Sequence, residues 1–332
     1  MPRFRIALLP FCDGLVYHES EIERVVPMPD IELRFNKDML VLSAPLDASL
    51  LRSGVDLTQD REFFNLIEPE AVRDAFRIEM LSGAQCLVTN TSGITTARLT
   101  HVNMEDRALE LATAALTILT SLKPQHIFAE IGSTRLPLDA SSAASLKQNR
   151  DQYAQAVRDF GEEGIDAYFL NKMVNPADMQ CALMGVRKQS DKPIIASLIL
   201  DDQGKVGSAQ EDAADAMAMM VECGANIVGF ESALPLEEIL PIVSHIKTKV
   251  HTPLLVQLVV RENNPHQQRQ TKENPYYCPD TMIEAATQLR AAGVQFLRAS
   301  GNASAAYTGA LVAASAGFDV MLKETDEANN GD

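Results

Sequence analysis

The side chains best placed to do chemistry in this chain are polar or charged residues at the ends of short apolar runs. Asn90, Thr91 and Ser92 follow QCLVT, and Glu130 stands inside HIFAEIG. Asn171 and Lys172 close IDAYFLNKM, Glu231 and Ser232 close ANIVGFES, Gln257 interrupts PLLVQLVV, and Arg298 and Ser300 close VQFLRAS. Ser43 lies in MLVLSAP. A carboxylate in such a run must be paired, solvated or bound to a cation. Glu130 and Glu231 are therefore candidate general bases or ligands as well as candidate ion-pair members. The planar guanidinium of Arg298 suits a carboxylate. Glu231 and Arg298 either pair with each other or hold a charged ligand, Arg298 on a carboxylate or phosphate and Glu231 on an amine. Asn90 and Thr91 either contact a ligand or cap the next helix. Lys172 either faces solvent or reaches a substrate, and Gln257 reads as an inward polar group.

Other chemistries have less support. The six histidines (His18, His101, His126, His245, His251, His266) make no H-x-x-x-H or H-E-x-x-H pattern, which disfavours a zinc hydrolase. His126 reads as a satisfied histidine at a strand start, and His266 as a solvated one in a polar loop. Cys12, Cys86, Cys181, Cys223 and Cys278 are scattered and odd in number, with no C-x-x-C pair, so neither a disulfide scaffold nor a zinc knuckle is expected. Buried free thiols fit a reducing, cytoplasmic setting. With 45 acidic against 29 basic residues the net charge is −16, which disfavours nucleic acid and anionic membrane surfaces as partners.

These residues need a scaffold that brings strand ends together. From residue 69 onward the pattern alternates helix and strand. Helices are expected over 69–82, 104–121, 144–163 (stopped by Gly164), 176–190, 213–224, 236–250, 280–292 and 304–316. Apolar strands are expected over 85–89, 126–132, 165–173, 192–200, 225–232, 253–260 and 294–300, with an eighth near 39–45. Eight apolar strands separated by crossover helices argue for an α/β fold, a (β/α)8 TIM barrel, over an open sheet. No Gly-x-Gly-x-x-Gly follows any strand, so a dinucleotide site has no support. Residues 1–38 are read as an N-terminal extension, a hairpin at the barrel bottom. The barrel is assigned to 39–318 and an acidic tail to 319–332. Residues 261–279 form a long polar loop on the active face, of the kind that carries function.

The motif order resembles the homocysteine S-methyltransferase family, which includes the homocysteine domain of cobalamin-dependent methionine synthase. The likeness runs through VLSAPLDASLLRSGVDL (41–57), FNLIEPEAVRDAFRIEMLSGAQCLVTNTSG (64–93) with its Thr89-Asn90-Thr91, AEIGSTRLPL (129–138), the stretch from Tyr153 to Ala209, GANIVGFESALPLEEILPIVSHI (224–246) and CPDTMIEAATQLRAAGVQFL (278–297). It covers roughly residues 40–316. It implies a barrel, methyl transfer, and a zinc ion held by three cysteines.

At those positions this chain departs from the family. Ser232 stands where the resemblance implies one cysteine, and Arg298, Ala299, Ser300 and Gly301 occupy the stretch implied to carry an adjacent pair. The family's substrate-gripping Asp, Glu and Asn correspond to Ser43, Asn171 and the apolar Leu258 and Val259. The expectation is therefore a methyltransferase acting on a small molecule other than homocysteine, with no zinc and an unknown methyl donor. Glu130 and Glu231 are its candidate catalytic residues, and Ser43, Asn90, Thr91, Asn171, Ser232, Gln257, Arg298 and Ser300 its candidate substrate contacts. A separate corrinoid protein is a candidate partner. The alternatives are a non-catalytic binding or regulatory barrel and a zinc enzyme with an unrecognised ligand set.

Overall fold

The computed structural model describes residues 31–35, 37–57, 61–261 and 266–315. Its strands are β1 (Leu40–Val41), β2 (Cys86–Val88), β3 (His126–Ile131), β4 (Ala167–Met173), β5 (Ile194–Ile199), β6 (Lys205–Val206), β7 (Glu211–Asp212), β8 (Ile227–Ser232), β9 (Leu254–Val260) and β10 (Phe296–Gly301). Eight of them form one parallel sheet in the order β1-β10-β9-β8-β5-β4-β3-β2. A parallel bridge from Leu42 to Cys86 joins its two ends, closing the barrel expected from the sequence. The helices are α1 (Asp47–Arg52), α2 (Phe64–Ile67), α3 (Pro69–Leu81), α4 (Thr96–Thr100), α5 (Ala108–Ser121), α6 (Ala143–Phe160), α7 (Pro176–Arg187), α8 (Ala213–Glu222), α9 (Leu236–Lys249), α10 (Asp280–Ala291) and α11 (Ala305–Ser315).

Strand periodicity sets what fills the barrel. Alternate side chains point inward. One interior layer is Leu42, Val88, Phe128, Phe169, Ile195, Ile227, Leu255 and Phe296. Burying each of these removes apolar area worth about 1.5–3 kcal/mol. Two residues further along, the same inward parity delivers Glu130, Asn171, Ser197, Gln257 and Arg298, and two more deliver Glu231 and Ser300. A polar layer thus caps an apolar one at the C-terminal ends of the strands, where barrel enzymes carry their sites.

Local chemistry fixes the helix starts. Asn175 Oδ1 accepts from the Ala177 amide at 2.9 Å with Pro176 at the first helical position, and Asp212 Oδ1 accepts from Ala214 at 3.0 Å. Three elements differ from the sequence reading. Helix α6 stops at Phe160, because Gly161 leaves helical geometry at a positive φ (66°) that glycine tolerates, before Gly164 is reached. The β6–β7 hairpin was not expected; Asp201 Oδ1 builds its turn by accepting from the amides of Gln203 (2.8 Å) and Lys205 (2.9 Å). Residues 31–34, assigned to a hairpin, form a 3-10 helix whose buried Ile31 packs on the barrel interior, while Phe35 meets Phe296 edge-on at 6.1 Å. The rest of that assignment, residues 1–30, and the acidic tail lie outside the described residues. At the same end His126 is fully buried: its Nε2 lies 3.1 Å from Arg34 Nη1, while Nδ1, 3.5 Å from Asp166 Oδ1, makes no hydrogen bond among the described residues, so the histidine expected to be satisfied is only half so. No helix among the described residues is long and apolar enough to cross a membrane.

Candidate functional site

The polar layer is a directed chain of hydrogen bonds. Arg298 Nη1 donates to Gln257 Oε1 at 3.3 Å. Gln257 Nε2 donates to Asn171 Oδ1 at 2.8 Å and to Ser197 Oγ at 2.7 Å. Asn171 Nδ2 donates to Glu130 Oε1 at 2.6 Å. A guanidinium can only donate and a carboxylate only accepts, so the two charged ends fix both amide orientations between them. The chain crosses the barrel from β10 to β3, and its two amide side chains are fully buried.

A second chain spans the other side. Ser300 Oγ donates a short hydrogen bond to Glu231 Oε2, and Lys172 Nζ lies 3.3 Å from the same oxygen. The expectation that Glu231 and Arg298 meet is corrected here: the partner of Glu231 is Lys172, and Arg298 has no carboxylate within 4 Å among the described residues. The cause is local. Lys172 sits at φ 56°, in a register shift between Leu170 and Met173, and this bulge turns its side chain across the barrel top. A non-glycine residue in that conformation is not legible from FLNKM.

Glu130, Asn90, Lys172 and Arg298 line one cavity of about 40 Å³ at the strand ends, together with Asp47 and Arg61. Arg61 Nε lies 2.5 Å from Asp47 Oδ1. Lys172, read as facing solvent or reaching a substrate, lines the cavity, while Asp47 and Arg61, from the connection after β1, were not singled out as site residues. Ser43, Thr91 and Ser232 do not line the cavity. Ser43 Oγ accepts from the Val88 amide (3.0 Å), and its carbonyl accepts from Arg298 Nε (2.8 Å). Thr91 Oγ1 donates to the Glu130 carbonyl (2.8 Å), tying β2 to β3. Asn90 faces the cavity while its Nδ2 donates to the Arg61 carbonyl at 2.6 Å. Ser232 Oγ accepts from Leu234 N at 3.1 Å. None of the described residues of the 261–279 loop lines this cavity.

Comparison with known proteins places this layout. The family model for homocysteine S-methyltransferase matches residues 40–317. The chain belongs to the homocysteine S-methyltransferase family. The homocysteine methyltransferase MmuM from Escherichia coli in its metallated form superimposes with a TM-score of 0.69 at 16% identity, over 84% of this chain and 96% of that one. The apo form gives 0.62 at 17%, over 87% and 100%. A carboxyl transferase domain variant of Rhizobium etli pyruvate carboxylase with pyruvate gives 0.54 at 14%, over 87% of this chain and 46% of that one. At these identities the structures speak to the fold alone. No curated protein sequence matches the chain.

For this family member, the residues at the implied cysteine positions do not fit a three-thiolate zinc site. Ser232 and Ser300 offer neutral hydroxyls already committed to Leu234 and Glu231, and Gly301 has no side chain. Zinc prefers thiolate, imidazole or carboxylate in a tetrahedral set. The described residues hold no group of three or more His, Cys, Asp or Glu side chains able to hold a metal ion.

Behind the cavity, Glu79 is 1% exposed and Oε2 accepts from Ala44 N (3.0 Å) and Thr308 Oγ1 (2.7 Å). Burial pushes its carboxyl above the ordinary range, against the pull of those two donors and of Arg298 and Arg52. A carboxyl raised on folding contributes stability that is present below its unfolded pKa and lost as pH rises through the folded one. Glu79→Gln keeps an acceptor for both donors and does not titrate. Its stability relative to the parent is therefore expected to increase from about pH 4 upward. Urea midpoints of both proteins across that range check this; a constant difference defeats it.

Proposed function

We propose that this barrel is a methyltransferase acting on a small molecule other than homocysteine, without a three-cysteine zinc site. The observation carrying the reading is that the strand ends of β8 and β10 are occupied by the Lys172–Glu231–Ser300 bridge and by Arg298. A free thiol, with a pKa near 8.5, is mostly protonated at neutral pH, and a metal or cationic site is what makes it a thiolate. With Ser232 and Ser300 where thiolates would hold a metal, and with Arg61 and Lys172 already paired with Asp47 and Glu231, an acceptor with a different nucleophile suits this site better. In the proposed step the acceptor X–H attacks a methyl carbon held as a sulfonium, quaternary ammonium or corrinoid-bound methyl group. The X–C bond forms, the donor leaves with its electron pair, and the proton on X passes to Glu130, whose Oε2 has no hydrogen-bond partner among the described residues. Glu231, spent on Lys172 and Ser300, serves to hold β4, β8 and β10 in place. Asn171 and Gln257 orient Glu130 through the relay.

A second reading, a binding or regulatory barrel, is favoured by one observation. A cavity of about 430 Å³ between α9, α10 and the 270–276 segment is much roomier than the barrel-top site. Its walls include Leu236, Leu240 and Tyr276, and the Tyr276 hydroxyl anchors the loop on the Leu234 carbonyl at 3.0 Å.

The test is elemental analysis of the purified protein, followed by assays with methyl-labelled S-methylmethionine, betaine and methylcobalamin. No stoichiometric zinc, no methionine formed from homocysteine, and label moved to another small acceptor are the expected results. Zinc-dependent methionine formation overturns the proposal. Absence of transfer from all three donors to any acceptor favours the binding reading.

A further inference from the structure

We infer that Arg298 anchors the carboxylate of a small monoanionic ligand at the strand end where the family resemblance implies thiolates. The inference rests on the methyl-transfer reading only for what the bound molecule is used for.

Arg298 is 2% exposed, yet no carboxylate among the described residues lies within 4 Å of it; Glu79 feels its charge from further off. Nε is bound to the Ser43 carbonyl and Nη1 to Gln257 Oε1, both neutral acceptors. Nη2 has no hydrogen-bond partner among the described residues. The guanidinium carbon lies 5.7 Å from the centroid of the Phe169 ring, so the fork is backed on one side and held in orientation. Burying a guanidinium against neutral acceptors alone is costly, because their dipoles replace only part of its hydration. The nearby carboxylates are engaged elsewhere: Glu231 with Lys172 and Ser300, Glu79 with Ala44 and Thr308, and Glu130 at the far end of the two-amide relay. What the side chain does have is a place on the wall of the 40 Å³ cavity.

The cavity sets the ligand class. Its volume corresponds to one or two water-sized groups, enough for a planar carboxylate and cramped for a tetrahedral phosphate. Glu130 lies on the same wall, and its like charge weighs more heavily against a dianion than against a monoanion. Lys172 on the rim offers a second cation to the same group. A bound carboxylate would receive the free Nη2–H, complete the coordination of the guanidinium, and leave the rest of the molecule to extend toward Asn90.

The test uses the full chain in calorimetric titrations with acetate and propionate, and separately with inorganic phosphate and chloride, at constant ionic strength. Saturable carboxylate binding is expected, at least about tenfold tighter than for phosphate. Arg298→Lys keeps the charge but loses the fork, and should weaken carboxylate binding about tenfold or more. Glu130→Gln keeps the acceptor for Asn171 and removes the opposing charge, and should tighten it several-fold. If Arg298→Lys does not fold, Glu130→Gln decides. No saturable binding by the parent, phosphate bound as tightly as carboxylate, or a folded Arg298→Lys that binds as well as the parent overturns the inference. In the absence of a folded Lys variant, an unchanged affinity in Glu130→Gln overturns it. Binding is read at equilibrium, so the two readings fail separately. Carboxylate binding without methyl transfer removes the reaction and keeps the site, while methyl transfer without carboxylate binding does the reverse.

Discussion

Replacing Asn171 by Leu is expected to destabilise the protein by about 3–5 kcal/mol, although Leu is close to Asn in size and the position is fully buried. Asn171 is the link at which the relay turns from donor to acceptor: Nδ2 supplies Glu130 Oε1, and Oδ1 receives Gln257 Nε2. Leu can do neither. Gln257 keeps one partner, Ser197 Oγ at 2.7 Å, so its loss is partial. Glu130 loses the only donor its side chain has among the described residues, and a 7% exposed carboxylate cannot recover that from bulk water. An unsatisfied buried neutral group costs roughly 1–3 kcal/mol and a charged one more, which gives the stated range. Asn171→Ala opens room for a water to bridge the same groups and should cost clearly less than Leu. Asn171→Asp removes the donor and sets a second negative charge beside Glu130, so it should be the worst of the three at neutral pH. Denaturant unfolding of the three variants against the parent checks that the cost rises in the order Ala, Leu, Asp. A Leu variant within about 1 kcal/mol of the parent would mean that the relay is not a coupled structure.

The barrel was legible because its strands are short apolar runs bounded by helix signals, and a parallel sheet buries both faces of every strand. Even the polar layer was visible as single interruptions: Glu130 in HIFAEIG, Gln257 in PLLVQLVV, Arg298 in VQFLRAS. Partnership was not legible. Glu231 and Arg298 sit on β8 and β10 with β9 between them, and which of several cations reaches Glu231 depends on the direction of side chains across the barrel. The bulge at Lys172 decided that, and a left-handed residue in a strand leaves no composition signal. The Asp47–Arg61 pair was missed for another reason. It joins the first residue of α1 to the first residue of a short 3-10 helix (Arg61–Phe63), two elements of one or two turns, too short for a periodic pattern to show which way their side chains point. Gly161 and Gly164 show the limit for helix ends: both take positive φ, and the first one reached ends α6.

A double-mutant cycle separates the two ways of joining the strand ends. The pair Lys172 and Glu231 is expected to show a coupling energy of about 1–2 kcal/mol, and the pair Glu231 and Arg298 less than about 0.5 kcal/mol. The first value follows from partial burial. Glu231 is 7% exposed, but the Lys172 side chain is 30% exposed and can retreat to water when its partner is removed, so the full penalty of a stranded buried charge does not apply. The second follows from the hydrogen bonds: no atom of Arg298 bonds to Glu231, and the two residues belong to separate chains of partners among the described residues. Glu231→Gln, Lys172→Met and Arg298→Met, singly and in pairs, supply the cycles, with unfolding free energy as the readout. Ser300→Ala adds a control. It removes the hydroxyl that donates to Glu231 and should cost about 1–2 kcal/mol in the parent but much less in the Glu231→Gln background. Strong coupling of Glu231 to Arg298 with none to Lys172 would reverse the assignment. The strand ends of β8 and β10 would then be joined directly by an ion pair, the Arg298 charge would be neutralised within the protein, and the cavity would lose its reason to take a carboxylate.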